Sequence, residues 1–314
     1  MTATTPSPGP PRTPPDRKGM ALIPGGTFAM GSDDFYPEEQ PVHPVTVDPF
    51  WIDEHPVTVA QFRRFVKDTG YVTVAERPPD PADYPDADPG ALVAGALVFA
   101  RTAGPVNLDE WRRWWRYMPG AQWRHPHGPG STLNGRERHP VTQVAFADAA
   151  AYAAWAGKSL PTEPQWEYAA RGGLDGAAFP WGDEFAPRGR RMANTWHGEF
   201  PWRFLPGRGT GPEPGTTPVG TYPPNGYGLF DVAGNVWEWT TDLFRPNHAS
   251  PTPATCCAPG GPHPDGDRFA RRVTKGGSHL CAANYCLRYR PAARQGQTED
   301  TATCHMGFRC VVRA

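Results

Sequence analysis

The sequence predicts one compact α+β domain that is low in regular secondary structure. Three observations lead there. The 314 residues include 40 prolines and 35 glycines, a load that favours turns and loops over long helices. Helical periodicity with recognisable ends occurs in only a few short stretches, and from Asn194 onward turns and short strands take over. No internal repeat is visible and no linker divides the chain, so a single domain is expected over residues 20–314.

The elements follow in order. Residues 1–19 are rich in proline and threonine and lack an apolar run. They read as a disordered tail rather than a secretion signal. Order is expected from Met20. Ala21-Leu22-Ile23, a Pro24-Gly25-Gly26 turn and the run to Ser32 read as strand, turn and strand. Val45, Val47 and Phe50 to Ile52 suggest further strands.

The first helix is expected from Val59 to Asp68. Thr58 and Gln61 form a capping box, Phe62, Phe65 and Val66 share a face, and Gly70 ends it. Arg77 to Gly90, dense in Pro and Asp, reads as a surface loop. Trp111, Trp114, Trp115 and Tyr117 follow at roughly helical spacing and read as core rather than as a ligand box. A second helix is expected from Phe146 to Ala156. A third opens on the capping box Thr162-Glu163-Pro164-Gln165 and runs to Arg171, where Gly172-Gly173 stop it.

Composition bounds the function. The hydrophobic fraction of 38%, with 12 tryptophans, is enough for a sizeable core. A net charge of −1 gives no field that would draw nucleic acid or an acidic membrane surface. No apolar run is long enough to span a bilayer. Neither a nucleic-acid nor a membrane partner is expected. The default setting is cytoplasmic and reducing, where six cysteines are expected as free or metal-bound thiols.

The chemistry concentrates in Lys275 to Arg294, K-G-G-S-H-L-C-A-A-N-Y-C-L-R-Y-R-P-A-A-R. Gly276 and Gly277 imply a sharp bend before Ser278. Cys281 and Cys286 lie beside Arg288, Arg290 and Arg294, whose positive field favours thiolate. Two thiolates without a histidine or a second cysteine pair do not make a usual zinc site. They suit soft Cu(I), which accepts two ligands. The spacing would put the thiols on opposite faces of a strand, so both reach one metal only if Ala282-Ala283-Asn284 bends. On the residues alone, a Cu(I) site and a disulfide both stay open. Arg288 and Arg290 read as groups that tune the thiols or bind a carbonyl or carboxylate, and at least equally as structural salt bridges.

The run G-G-S-x-x-C-x-x-x-Y-C-x-R-Y-R-x-x-A-R, with Gly307-Phe308-Arg309-Cys310 after it, resembles the formylglycine-generating enzymes, or sulfatase-modifying factors. The opening P-G-G-x-F-x-M-G run, Ala156 to Gly173, and Phe179-Pro180-Trp181-Gly182-Asp183 resemble further signatures of that superfamily. The resemblance spans about Ile23 to Val312 and implies the family's fold, distantly like C-type lectins. It implies that Cys281 and Cys286 hold copper, which activates dioxygen, and that Ser278, Tyr285 and Trp237 belong to the catalytic pocket. The implied substrate is an unfolded sulfatase polypeptide carrying Cys-x-Pro-x-Arg. Its cysteine would become Cα-formylglycine, with O2 and a thiol reductant consumed.

A second constellation is Asp231-Val232-Ala233-Gly234-Asn235-Val236-Trp237-Glu238. Carboxylates of Asp231 and Glu238 flank a glycine turn and, with the Gly234 and Val236 carbonyls, offer hard oxygens suited to Ca²⁺. An Asx turn closing a hairpin is the plainer use. The resemblance implies a calcium site at these positions and a second at Asn194 and Thr195. The second departs from the family pattern near Gly211, where Glu213 would have to compensate. Cys256 and Cys257 are adjacent in a proline-rich loop, too strained for an easy mutual bridge, and with Cys304 and Cys310 read as inert. The resemblance implies that the structural disulfides of secretory-pathway relatives cannot form, since their partner positions fall here on Ala153, Ala170 and Pro291. The rival reading is a lectin-like binding module of the same superfamily, which has no need of paired thiols.

Overall fold

The computed structural model describes residues 17–250 and 269–314. Most of the expected tail, and Cys256 and Cys257, lie outside the described residues. Those residues hold three α-helices and thirteen strands. In chain order they are β1 (Met20–Ile23), β2 (Gly26–Met30), β3 (His43–Val47), β4 (Phe50–Asp53), α1 (Val59–Thr69), β5 (Gly95–Phe99), β6 (Trp115–Pro119), α2 (Phe146–Trp155) and α3 (Glu163–Arg171). There follow β7 (Gly198–Glu199), β8 (Arg203–Phe204), β9 (Trp237–Leu243), β10 (Arg271–Lys275), β11 (Arg294–Thr298), β12 (Met306–Gly307) and β13 (Val311–Arg313). The architecture is α+β, as the sequence predicts.

Two sheets matter for the site. One is ordered β1-β4-β13, so the last strand pairs with an early one. The other is ordered β11-β10-β9-β12, antiparallel except for the β12–β9 pair. Helix α3 packs against β2, β3, β9 and β10. Its capping box forms as read: the Thr162 amide donates to Gln165 Oε1 at 2.9 Å, and Gly172 closes it at φ 62°. Helix α1 matches its prediction within a residue, with the Thr58–Gln61 box and Gly70 at φ 69°.

The core has two main parts. Phe62, Phe65, Tyr152, Trp239 and Phe308 fill one, between α1, α2 and β9. Ile23, Phe28, Phe50, Ile52 and Trp166 fill the other, beneath α3. Between sheet and helix runs a chain of buried charges. Lys275 Nζ lies 2.9 Å from Glu167 Oε2, Arg171 donates to Glu167 at 2.7 Å, and Arg294 holds Glu163 with donors at 2.7 and 2.9 Å. Every cation in this chain has a carboxylate, the condition under which buried charges are tolerated.

The aromatic run after residue 110 departs from its reading. Trp111–Arg113 is one 3-10 turn and Trp115–Pro119 is β6, paired with β5. Strand pairing overrides the near-helical spacing and splits the side chains. Trp114 is fully buried, whereas Trp111 and Tyr117 are exposed at 46% and 45%. The stripe is therefore a core residue with exposed neighbours, and Trp111, Trp114 and Trp115 all line a cleft.

Candidate active site

That cleft is shaped by the segment Gly276 to Arg290. Gly276 and Gly277 take φ of 90° and 69°, and a Cβ on Gly277 would lie 2.7 Å from the Arg288 carbonyl oxygen. The bend before Ser278 thus requires glycine. The chain then folds back, with the Tyr285 and Cys286 amides donating to the Ala282 carbonyl at 3.0 and 2.7 Å. This is the bend the two thiols need. Cys281 Sγ and Cys286 Sγ lie 3.1 Å apart, both buried and both free.

The cleft above them encloses about 740 Å³. Phe200 and Tyr285 stack at 4.5 Å and 3° on one wall, and Trp114 meets Tyr285 edge-on at 5.4 Å. Ser278 and Trp237 also line it, as do Thr303 and His305. Sequence reasoning therefore names five residues that the structure brings together: Ser278, Cys281, Cys286, Tyr285 and Trp237. Ser278 Oγ accepts the Leu280 amide at 3.2 Å, so it serves the turn as well as the cleft.

The thiols titrate as a unit. The Cys281 S–H donating to it, helped by the Arg288 guanidinium, draws the Cys286 thiol down to about 7 against the effect of burial. Burial holds Cys281 well above its ordinary value, and the neighbouring sulfur adds to this. The pair thus gives up one proton near neutrality and keeps the other. Arg288 is itself held by Glu38 at 2.6 Å and lies 3.8 Å over the Tyr36 ring. Arg290 grips Glu39 with two donors at 2.8 and 2.5 Å, so the salt-bridge reading describes Arg290, whereas Arg288 both pairs with Glu38 and tunes Cys286.

The glycine turn after Asp231 is built differently from its reading in one respect. Asp231 (φ 55°) is buried, and its carboxylate accepts the Gly220 amide at 2.9 Å and Asn235 Nδ2 at 3.3 Å. Burial pushes its pKa up to about 6. Glu238 is fully buried but already engaged. Arg309 donates to it at 2.7 and 2.8 Å, and Trp166 Nε1 donates at 2.7 Å. One guanidinium thus faces two buried carboxylates, which leaves a charge deficit that a hard cation would fill.

Asn194 touches the same turn: its carbonyl accepts the Asn235 amide at 2.8 Å, and its Nδ2 donates to the Gly215 carbonyl at 3.0 Å. Thr195 Oγ1 meets His197 Nε2 at 3.3 Å. Glu213 is paired with Arg101 at 2.9 Å. Cys304 and Cys310 are buried and free, and burial pushes the Cys304 thiol up to about 12, as suits inert thiols.

Sequence reasoning missed Arg271, Gln295, Gln297, Thr303 and His305, all of which line the cleft. The one available signal is the histidine in T-C-H-M-G-F-R-C, placed immediately before β12.

A buried free dithiol at the foot of an aromatic cleft, carried on this α+β frame, defines a class of proteins with reactive or metal-binding thiols. Residues 6–314 match the family model described as the sulfatase-modifying factor enzyme 1-like domain, and the chain belongs to that family. It is 57% identical over 290 residues to the formylglycine-generating enzyme of Mycobacterium tuberculosis, covering 92% of this chain and 96% of that one. It is 49% identical over 299 residues to the formylglycine-generating enzyme of Thermomonospora curvata, covering 93% of each. Among solved structures, PvdO from Pseudomonas aeruginosa matches with a TM-score of 0.57 over 94% of each chain, at 24% identity, a likeness of fold alone.

Proposed function

We propose that the protein is a copper-dependent oxidase that converts the cysteine of a Cys-x-Pro-x-Arg segment in an unfolded sulfatase to Cα-formylglycine. O2 and a thiol reductant are consumed, and the substrate sulfur leaves as sulfide. The observation that carries this reading is the pair of free thiols 3.1 Å apart at the foot of the cleft, in a chain so similar to proteins named for this activity. Two sulfur donors fit Cu(I) and fall short of the four that a structural zinc takes. Cu(I) bound by Cys281 and Cys286 would supply the activation of dioxygen.

The chain's own residues do the rest. Tyr285, Phe200 and Trp114 form an apolar wall that excludes water from an extended peptide. Ser278 and Trp237 bound the space next to the thiols. Arg288 steadies negative charge at Cys286. Calcium would be structural, held by Asp231 with the Gly234 and Val236 carbonyls. Glu238 shares its charge with Arg309 there, and a second ion would use Asn194 and Thr195. The cytoplasm supplies the reducing conditions that keep the thiols free.

The test is mass spectrometry of a Cys-x-Pro-x-Arg peptide incubated with protein, copper, O2 and dithiothreitol. Aldehyde should form. Cys281→Ser and Cys286→Ala should each reduce turnover by orders of magnitude with the circular dichroism spectrum unchanged. Changing Cys256, Cys257, Cys304 and Cys310 together should leave most activity. A peptide that binds but is never oxidised would favour the binding-module reading, and full activity in Cys286→Ala would end the two-thiolate reading.

A further inference from the structure

One polar side chain in the cleft is fixed in place yet uncommitted. His305 precedes β12, and its carbonyl accepts the Trp237 amide at 2.9 Å, so its backbone is tied to the cleft floor. Its ring packs against Trp115 with centroids 4.8 Å apart. Its Nδ1 lies 2.7 Å from Thr303 Oγ1. That leaves Nε2 as the open polar atom, in a residue that lines the same cleft as the thiols. The other cations of this wall are engaged: Arg288 by Glu38, and Arg271 by the Gly296 carbonyl at 2.9 Å.

The tautomer follows from Thr303. This residue is 3% exposed, and among the described residues its hydroxyl has one neighbour within hydrogen-bond reach, His305 Nδ1. If Nδ1 carried the proton, the hydroxyl hydrogen would be buried without an acceptor. The hydroxyl therefore donates to Nδ1, and the proton sits on Nε2. Burial drives the ring's basicity down to about 3, so this donor is uncharged at working pH. A neutral, single, rigid N–H matches a peptide carbonyl; a carboxylate or phosphate would be met by a guanidinium.

We propose that His305 Nε2–H donates a hydrogen bond to a main-chain carbonyl of the extended substrate peptide, and that Thr303 and Trp115 hold it for that contact. This deepens the function proposed above and rests on it. It makes part of the recognition independent of the substrate's side chains, as befits an enzyme that must take unfolded segments of differing sequence.

The test is fluorescence anisotropy of a labelled peptide carrying Ser-x-Pro-x-Arg in place of Cys-x-Pro-x-Arg, titrated with full-length protein kept reduced. Wild type should bind. His305→Phe should raise Kd about three- to tenfold, the range for one lost hydrogen bond. His305→Gln, which can reach with an amide N–H, should recover most of it, and Thr303→Val should weaken binding about twofold. In turnover of the cysteine peptide, His305→Phe should raise KM with little change in kcat. Thermal melting of each variant separates misfolding from loss of contact, and the Gln variant keeps the test open if Phe disturbs the fold. Equal Kd values for wild type, Phe and Gln variants would overturn this contact while leaving the activity standing. A wild type that bound no peptide would overturn both.

Discussion

Replacing Glu238 by alanine should unfold the protein more readily than almost any other single change near the cleft. Glu238 and Arg309 are both fully buried. Their two hydrogen bonds are 2.7 and 2.8 Å long, and Trp166 Nε1 adds a third at 2.7 Å. Arg309 would keep the carbonyls of Phe230 and Asp53, at 2.9 and 3.2 Å, but these are dipoles, and Asp231 would be left as the one buried carboxylate that it faces without a direct ion pair. Removing one partner of a buried pair destabilises by about 3–5 kcal/mol. An unpartnered indole N–H adds roughly 1 kcal/mol.

At about 2–4 °C per kcal/mol for a chain of this size class, the melting temperature should fall by roughly 10–20 °C. Glu238→Gln should fall between, since it keeps an acceptor. The double variant Glu238→Leu, Arg309→Met should recover much of the loss, because it removes both charges. The assay is calorimetry with calcium and again with chelator. A drop under about 5 °C, or a double variant no better than the single one, would refute the dry-pair argument. A deficit that vanished in chelator would mean that Glu238 serves the ion instead of Arg309.

Two further outcomes are expected. Chelating calcium should lower the melting temperature of the wild type without stopping thiol chemistry, because an ion bound only to the native state stabilises by mass action; the effect should shrink in Asp231→Ala. Acid should destabilise the fold between about pH 6.5 and 4. Burial lowers His139, His197, His248 and His279 to about 4 in the native state, so the unfolded chain binds the extra protons across that window. Fully buried His279 alone is worth about 3 kcal/mol, present above pH 6.5 and lost by pH 4. Asp148 and Asp231, raised by burial to about 6, act in the opposite sense and soften the slope. A flat stability profile from pH 7 to 4.5, by urea titration, would contradict the assignment.

What the sequence disclosed was local. Thr58 with Gln61, and Thr162 with Gln165, mark helix starts because capping acts over three residues. Gly276-Gly277 and the turn after Ala282 are equally short-range, which is why the thiol pair was legible before the fold was known. The ion pairs were not. Arg290 meets Glu39 across 251 residues and Arg294 meets Glu163 across 131, and no spacing encodes such a contact. Arg309 and Glu238 likewise read as a family motif and a calcium ligand until the fold joined them. The tryptophans after residue 110 were misread because β5–β6 pairing outweighs a near-helical period. His305 was passed over because an isolated histidine has no meaning until its neighbours are known.

The pairing of β13 with β4 bears on how the protein is made. Cleft-forming groups in residues 278–305 are clasped by what comes after them: Met306 and Gly307 register with Trp237 and Glu238, Arg309 locks Glu238, and Val311 to Arg313 zip onto Phe50 to Ile52. A chain ending at residue 305 would carry every cleft residue named above but lack the partners of Trp237, Glu238 and β4. The strands that brace the site therefore follow the residues that form it, and a chain cut before residue 306 is expected to lose the site.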